Sequence, residues 1–111
     1  MVDDDPVILE SFSVWLETRC DAEISAFSSA EEAMAALTPD GFDVCILDYR
    51  LDGANGLTLG AMLREINPAA HLILLSGNLP PEVESLAFEH GFGQILVKPV
   101  SPERLLDAIR Q

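Results

Sequence analysis

Two uninterrupted apolar runs, each closed by a polar side chain, constrain this chain more than any other feature. Asp43-Val44-Cys45-Ile46-Leu47-Asp48 runs into a carboxylate, and His71-Leu72-Ile73-Leu74-Leu75-Ser76 runs into a hydroxyl. A strand with one face in water alternates apolar and polar residues. Continuous apolarity marks a strand covered on both faces, the situation of an inner strand in a parallel sheet. Parallel neighbours need a long crossover, usually a helix, and the stretch between the two runs has room for one. At 111 residues the chain has the size of one domain, so residues 1–111 are read as a single unit.

The rest of the chain fits that frame. Pro6 suits a first helical turn, and Ile8, Leu9, Phe12, Trp15 and Leu16 recur at helical spacing, which predicts a helix over Pro6–Arg19 with Phe12 and Trp15 in the core. Ala22–Phe27 alternates as a short strand does. Ser29 and Glu32 have capping-box spacing, opening a helix to Leu37, and Thr38-Pro39-Asp40-Gly41 reads as a turn. After the first apolar run, a Gly-rich loop (Asp52 to Gly56) leads to a helix over Leu57–Ile66, closed by Asn67-Pro68. A further helix covers Pro81–His90 and stops at Gly91. A short strand, Gln94–Val97, ends at Lys98-Pro99, and a last helix opens at Ser101 or Pro102 and reaches Arg110. The alternation predicts an α/β fold: a doubly wound parallel sheet with helices on both faces.

Charge narrows the partners. Nineteen acidic against six basic residues give a net charge of −13, with no Lys/Arg stripe for a phosphate backbone, so nucleic acid and anionic lipid are poor partners. No apolar run approaches the roughly 20 residues that span a bilayer, and no secretory leader pattern is present, which points to the cytoplasm. Cys20 and Cys45 fall in unrelated segments with no metal-ligand spacing; Cys45 reads as a buried small hydrophobe, and no disulfide is expected.

In an open parallel sheet, ligands sit beyond the carboxyl ends of the strands. Asp48, Ser76 and Lys98 each follow a buried run, and Asp3-Asp4-Asp5 precedes the first helix on the same rim. Crowded carboxylates raise one another's pKa unless a cation neutralises them, and Mg²⁺ is the hard cation that commonly shares a site with a phosphoryl group. Asp48 is then placed to attack phosphorus as a nucleophile. The Lys98 ammonium would neutralise oxygens where charge accumulates, and the Ser76 hydroxyl would donate to one of them. A carboxylate is already ionised at pH 7, so no general base is needed.

These residues carry a resemblance. Val2-Asp3-Asp4-Asp5-Pro6, Leu47-Asp48-Tyr49-Arg50-Leu51 with Gly56, Leu75-Ser76-Gly77 and Val97-Lys98-Pro99 are similar, in order and spacing, to the signature segments of response regulator receiver domains, the phosphoacceptor domains of two-component signalling. The resemblance implies a flavodoxin-like sheet with strand order 2-1-3-4-5. It makes Asp48 the phosphoacceptor, Ser76 and Lys98 the readers of the phosphoryl group, and a cis bond between Lys98 and Pro99. It implies Mg²⁺ held directly by Asp4, by Asp3 mainly through water, by Asp48 and by the main-chain carbonyl of Arg50. Arg50 and Asn78 would tune how long the phosphoryl group survives. The implied partner is a sensor histidine kinase or phosphotransfer protein, with a homodimer left open. The implied activity is self-phosphorylation from phosphohistidine followed by slow autodephosphorylation, rather than turnover of a free substrate.

Three departures stand out. Only Met1 and Val2 precede Asp3, so the family's first, central strand is truncated or absent in this chain. Ile95 stands where many receivers carry an aromatic switch residue, and Asp52 where proline is common. The first two favour a rival reading, a pseudo-receiver that acts as an interaction module without phosphorylation. A phosphatase with an aspartyl nucleophile would want a second carboxylate two residues on, where Arg50 stands. His90, at a helix end, and His71, at a strand start, read as structural, and the acidic face with Glu82, Glu84 and Glu89 reads mainly as solvation. The chain ends just after the last helix, which leaves a stand-alone regulator, a piece of a larger one and a hybrid-kinase receiver all open.

Overall fold

The computed structural model describes residues 1–19, 24–36, 41–51, 54–77 and 79–110. Cys20, Ala22 and Glu23 of the expected strand at Ala22–Phe27, Leu37 at the expected end of the second helix, the turn from Thr38 to Asp40, Asp52 and Asn78 lie outside the described residues.

The helices are α1 (Pro6–Arg19), α2 (Ala30–Ala36), α3 (Gly56–Ile66), α4 (Pro81–Glu89) and α5 (Pro102–Ile109). The strands are β1 (Val44–Asp48), β2 (Arg50–Leu51), β3 (Ala54–Asn55), β4 (His71–Ser76) and β5 (Phe92–Val97). Strands β1, β4 and β5 form a parallel sheet in that order, with Asp48 opposite Leu75 and Ser76 opposite Val97.

The truncated first strand is present as a stub that sits where a central strand belongs. Val2 bridges Leu47 on one side and Phe27 on the other, both in parallel. Val2 N donates to Ile46 O (2.8 Å), Asp48 N to Val2 O (3.0 Å), and Phe27 N to Met1 O (2.9 Å). Counting this stub first and the Phe27 segment second, the order is the expected 2-1-3-4-5.

Both faces of the sheet are covered, as the continuous apolar runs require. One core cluster gathers Leu47, Leu72 and Leu74 with Ala33 of α2, Leu57, Leu59 and Leu63 of α3, and Ala87 of α4. The other gathers Ile46, Ile73 and Leu75 with Leu16 of α1 and Leu105, Leu106 and Ala108 of α5. Phe12 and Trp15 pack against this second cluster as partly buried groups. Successive side chains of a strand point to opposite faces, and these strands supply leucine and isoleucine to both.

Several boundaries differ from the sequence reading. A small antiparallel pair joins β2, just ahead of the Gly-rich stretch, to β3 within it, with Arg50 facing Asn55. The helix after it starts at Gly56 because Asn55 caps it, its side chain accepting from Thr58 N at 2.9 Å. Strand β5 begins two residues early, at Phe92, and the described part of the expected second strand contributes only the bridge at Phe27. The capping box at α2 is shifted. Ser29 Oγ accepts from Glu32 N as expected, but the Glu32 carboxylate accepts from Ser28 N (2.9 Å) and Ser28 Oγ (2.8 Å), one residue earlier. Cys45 is buried and free. No helix among the described residues is long and apolar enough to cross a membrane.

Candidate functional site

Asp48 is the last residue of β1, and its main chain is clamped from both sides. Its own N–H goes to Val2 O, and the next amide, Tyr49 N, donates to Leu75 O at 2.8 Å. The carboxylate therefore emerges at the carboxyl edge of the sheet with little freedom, and only 6% of the residue is exposed.

Asp3 arrives from the neighbouring stub. Its N–H donates to Phe27 O (3.2 Å), and its Oδ1 accepts from Asp5 N (2.9 Å), which turns the chain out of the sheet and into α1. Asp5 caps that helix, its Oδ1 accepting from Val7 N at 3.0 Å. The Asp3 side chain is wholly buried, whereas Asp4 is exposed. One carboxylate oxygen each from Asp3, Asp4 and Asp48 lie within 4.8 Å of one another.

Lys98 closes the site from β5. Its Nζ donates to Asp48 Oδ2 at 3.0 Å and to Asp3 Oδ2 at 3.3 Å, with the side chain 26% exposed. The Lys98 N–H donates to Ser76 O at 2.7 Å, and the Lys98–Pro99 bond is cis. Ser76 itself ends β4 and is buried. Arg50 is exposed and donates its amide to Asp48 Oδ1 across a long 3.4 Å.

Electrostatics follow from this crowding. Burial raises the Asp3 pKa, and the Asp48 charge adds to that, against the opposing pull of the Asp5 amide and Lys98. For Lys98, burial pulls the pKa down, but the Asp48 hydrogen bond and the charges of Asp3 and Asp48 outweigh it, so the ammonium is held above its ordinary value. Three convergent carboxylates, two of them buried, form an all-oxygen donor set of the kind hard divalent cations take. The donor set fits.

Asp3, Asp4, Asp48, Ser76 and Lys98 thus come to one rim from four separate stretches of chain. His90 and His71 lie elsewhere: His90 Nδ1 is 3.3 Å from Leu57 O, and His71 Nε2 is 3.4 Å from Gln94 Nε2. Ile95 packs partly buried against the α2–α3–α4 core. Asp5 and Gly56 belong to the frame of the site although only their motifs, not their roles, were readable. The Asp-Pro pair ahead of α1 was the signal for the Asp5 cap.

The chain belongs to the response regulator receiver domain family, whose model matches residues 1–110. It is 34% identical over 105 residues to the alginate biosynthesis transcriptional regulatory protein AlgB of Pseudomonas aeruginosa, covering 95% of this chain and 23% of that protein. It is 29% identical to the C4-dicarboxylate transport transcriptional regulatory protein DctD of Rhizobium meliloti, over all of this chain and 24% of that protein. The chain therefore spans about a quarter of the length of these curated relatives. Among solved structures, a CheY-like receiver domain protein from Methanospirillum hungatei superposes with a TM-score of 0.91 at 28% identity, over 98% of this chain and 86% of that one. A response regulator from Burkholderia pseudomallei, solved with a phosphorylated aspartic acid, calcium ion and citrate, gives a TM-score of 0.85 at 26% identity, over 96% of this chain and 62% of that one.

Proposed function

We propose that this domain takes a phosphoryl group from a phosphohistidine of a sensor kinase or phosphotransfer protein onto Asp48, and later loses it slowly to water. The observation that carries the reading is the Lys98 ammonium spanning Asp48 and Asp3 beside a third carboxylate, at 3.0 and 3.3 Å. An Asp48 oxygen forms the new O–P bond as the N–P bond of the donor breaks and its electron pair returns to the imidazole nitrogen. Lys98 can follow the charge from the carboxylate to the phosphoryl oxygens, because its Nζ already stands at Asp48 Oδ2. The Ser76 hydroxyl, at the end of the adjacent strand, is assigned a hydrogen bond to a second oxygen. Asp3, Asp4, Asp48 and the Arg50 carbonyl would hold Mg²⁺, which when bound supplies neutralisation of the crowded negative charge. The reaction is set in the cytoplasm, and the phosphorylated face would signal to a partner protein.

The test is incubation with acetyl phosphate and Mg²⁺ followed by intact mass. The expected result is a gain of one phosphoryl group, lost in Asp48→Asn. Ile95, standing where many receivers carry an aromatic switch residue, favours a second reading, an interaction module that works without phosphorylation. Unchanged mass with wild-type protein would select it.

A further inference from the structure

Gly56 touches the phosphoacceptor strand where no side chain fits. A Cβ placed on it would overlap the main-chain carbonyl oxygen of Asp48, lie 3.0 Å from the Asp48 carbonyl carbon and sit 3.2 Å from Leu74 Cδ1. Its φ is not positive, so the issue is space and not backbone freedom. Nothing nearby yields easily. Asp48 N and Tyr49 N are both tied into the sheet, and Leu74 is wholly buried. Gly56 N also donates to Tyr49 O at 2.8 Å, which closes the loop that carries Arg50.

We propose that Gly56 is a positioning residue for the phosphoryl site: its bare Cα lets the first turn of α3 rest directly on the Asp48 main chain. That contact sets where the Asp48 carboxylate and the Arg50 carbonyl stand relative to Lys98. The inference rests on the reading of Asp48 as phosphoacceptor. A side chain at position 56 moves either the start of α3 or the end of β1, and a reacting group displaced by a fraction of an ångström to about 1 Å loses much of its rate.

Gly60 supplies the internal comparison. It lies one turn further along α3, and a Cβ there would overlap the Phe92 ring. Phe92 starts β5, whereas Lys98 follows the far end of that strand. Both substitutions crowd the helix, but only one crowds it against the site.

The experiment uses the whole chain as Gly56→Ala and Gly60→Ala beside wild type. Three readouts are taken: thermal melting, Mg²⁺ affinity from the ¹³C carboxyl resonance of Asp48, and acetyl phosphate labelling per folded molecule. Gly56→Ala is expected to bind Mg²⁺ about 5-fold more weakly and to label about 10-fold more slowly, while Gly60→Ala melts lower but keeps both within about 2-fold. Wild-type affinity and rate in Gly56→Ala overturn the proposal, and so do equal losses in both variants. Wild-type protein that neither binds Mg²⁺ nor gains mass fails the Asp48 reading itself, visibly and before any variant is compared. Should Gly56→Ala not fold, Asn55→Ala takes its place, freeing the first turn of α3 without adding a side chain. A Mg²⁺ affinity about 2-fold or more weaker then supports the proposal, and an unchanged one overturns it.

Discussion

The Asp3 carboxylate is screened from water on every side, and burial is the first cause of its raised pKa. The sign has a consequence for stability. A raised folded-state pKa gives stability that is complete below the ordinary value of 3.8 and is lost as pH rises through the folded value, so ionised Asp3 weighs against the fold at neutral pH. Asp3→Asn keeps an acceptor for the Asp5 amide and removes the buried charge. It should raise the melting temperature at pH 7 without Mg²⁺ by roughly 4 °C, about 1 kcal/mol, while weakening Mg²⁺ binding. A lower melting temperature would mean that the Lys98 pair outweighs the burial cost. Cys45 offers a second check: burial pushes its thiol up to about 11. Iodoacetamide at pH 8 should spare it in the native protein and modify it after denaturation, read by peptide mapping. At this scale the sequence was most informative where a buried run stops at a polar group, because Asp48 and Ser76 then have only the strand-end rim to occupy; the strand before Lys98 departs from that reading, since β5 is a partly buried edge strand with Val97 67% exposed. It was silent on the seat of Gly56 against Asp48, which depends on two elements meeting in space and leaves no periodicity behind.

Helix starts show how local chemistry and packing divide the work among the elements. Ser101 caps α5, its Oγ accepting from Arg104 N at 3.1 Å, which decides between the two openings, Ser101 and Pro102, that the sequence left. Ser101→Ala should cost about 1 kcal/mol in chemical denaturation with little effect on Asp48 labelling. At α2, the two Ser28 hydrogen bonds hold the fully exposed Glu32 carboxyl below its ordinary 4.5, side-chain bond first. A depressed pKa gives stability that is present above the ordinary value and lost as pH falls through the folded one. The Ser28 amide resonance should therefore titrate with a midpoint below 4.5, and a midpoint at or above 4.5 would show the bond absent in solution. The box was legible as a motif but not as a register, because Ser28 and Ser29 are chemically alike and only the entry path of the chain selects between them. The β2–β3 pair escapes the sequence pattern for a related reason. Two-residue strands leave no alternation to detect, and their pairing is set by the Gly56–Tyr49 closure.

Across the whole molecule, the continuous apolar runs made a two-faced parallel sheet legible, while the order of its strands came from resemblance, since alternation of helix and strand fits several windings. The centre of that sheet is also where the chain has least strand to offer. In a parallel ladder each residue bonds only one neighbouring strand, and residues alternate sides. Asp43 O accepts from His71 N on the β4 side, and Tyr49 N donates to Leu75 O on that same side. Ile46 O and Asp48 N are taken by Val2 on the other side. A stretch running backward from Met1 would therefore continue the ladder toward Val44 on one side and past Ser25, whose carbonyl accepts from the Met1 amino group at 2.8 Å, on the other. Four β-branched apolar residues added ahead of Met1 would pair along both neighbours and bury side chains against the two cores. The expected gain is about 2 kcal/mol or more, because each net hydrogen bond adds about 1 kcal/mol and burial adds further. Since Asp3 and Asp4 hang from the same stub, Mg²⁺ affinity should rise together with the melting temperature. Thermal melts and Mg²⁺ titrations of the extended chain against this one check both, and indistinguishable curves would mean that the Met1–Asp3 stub already holds the centre of the sheet as firmly as a full strand.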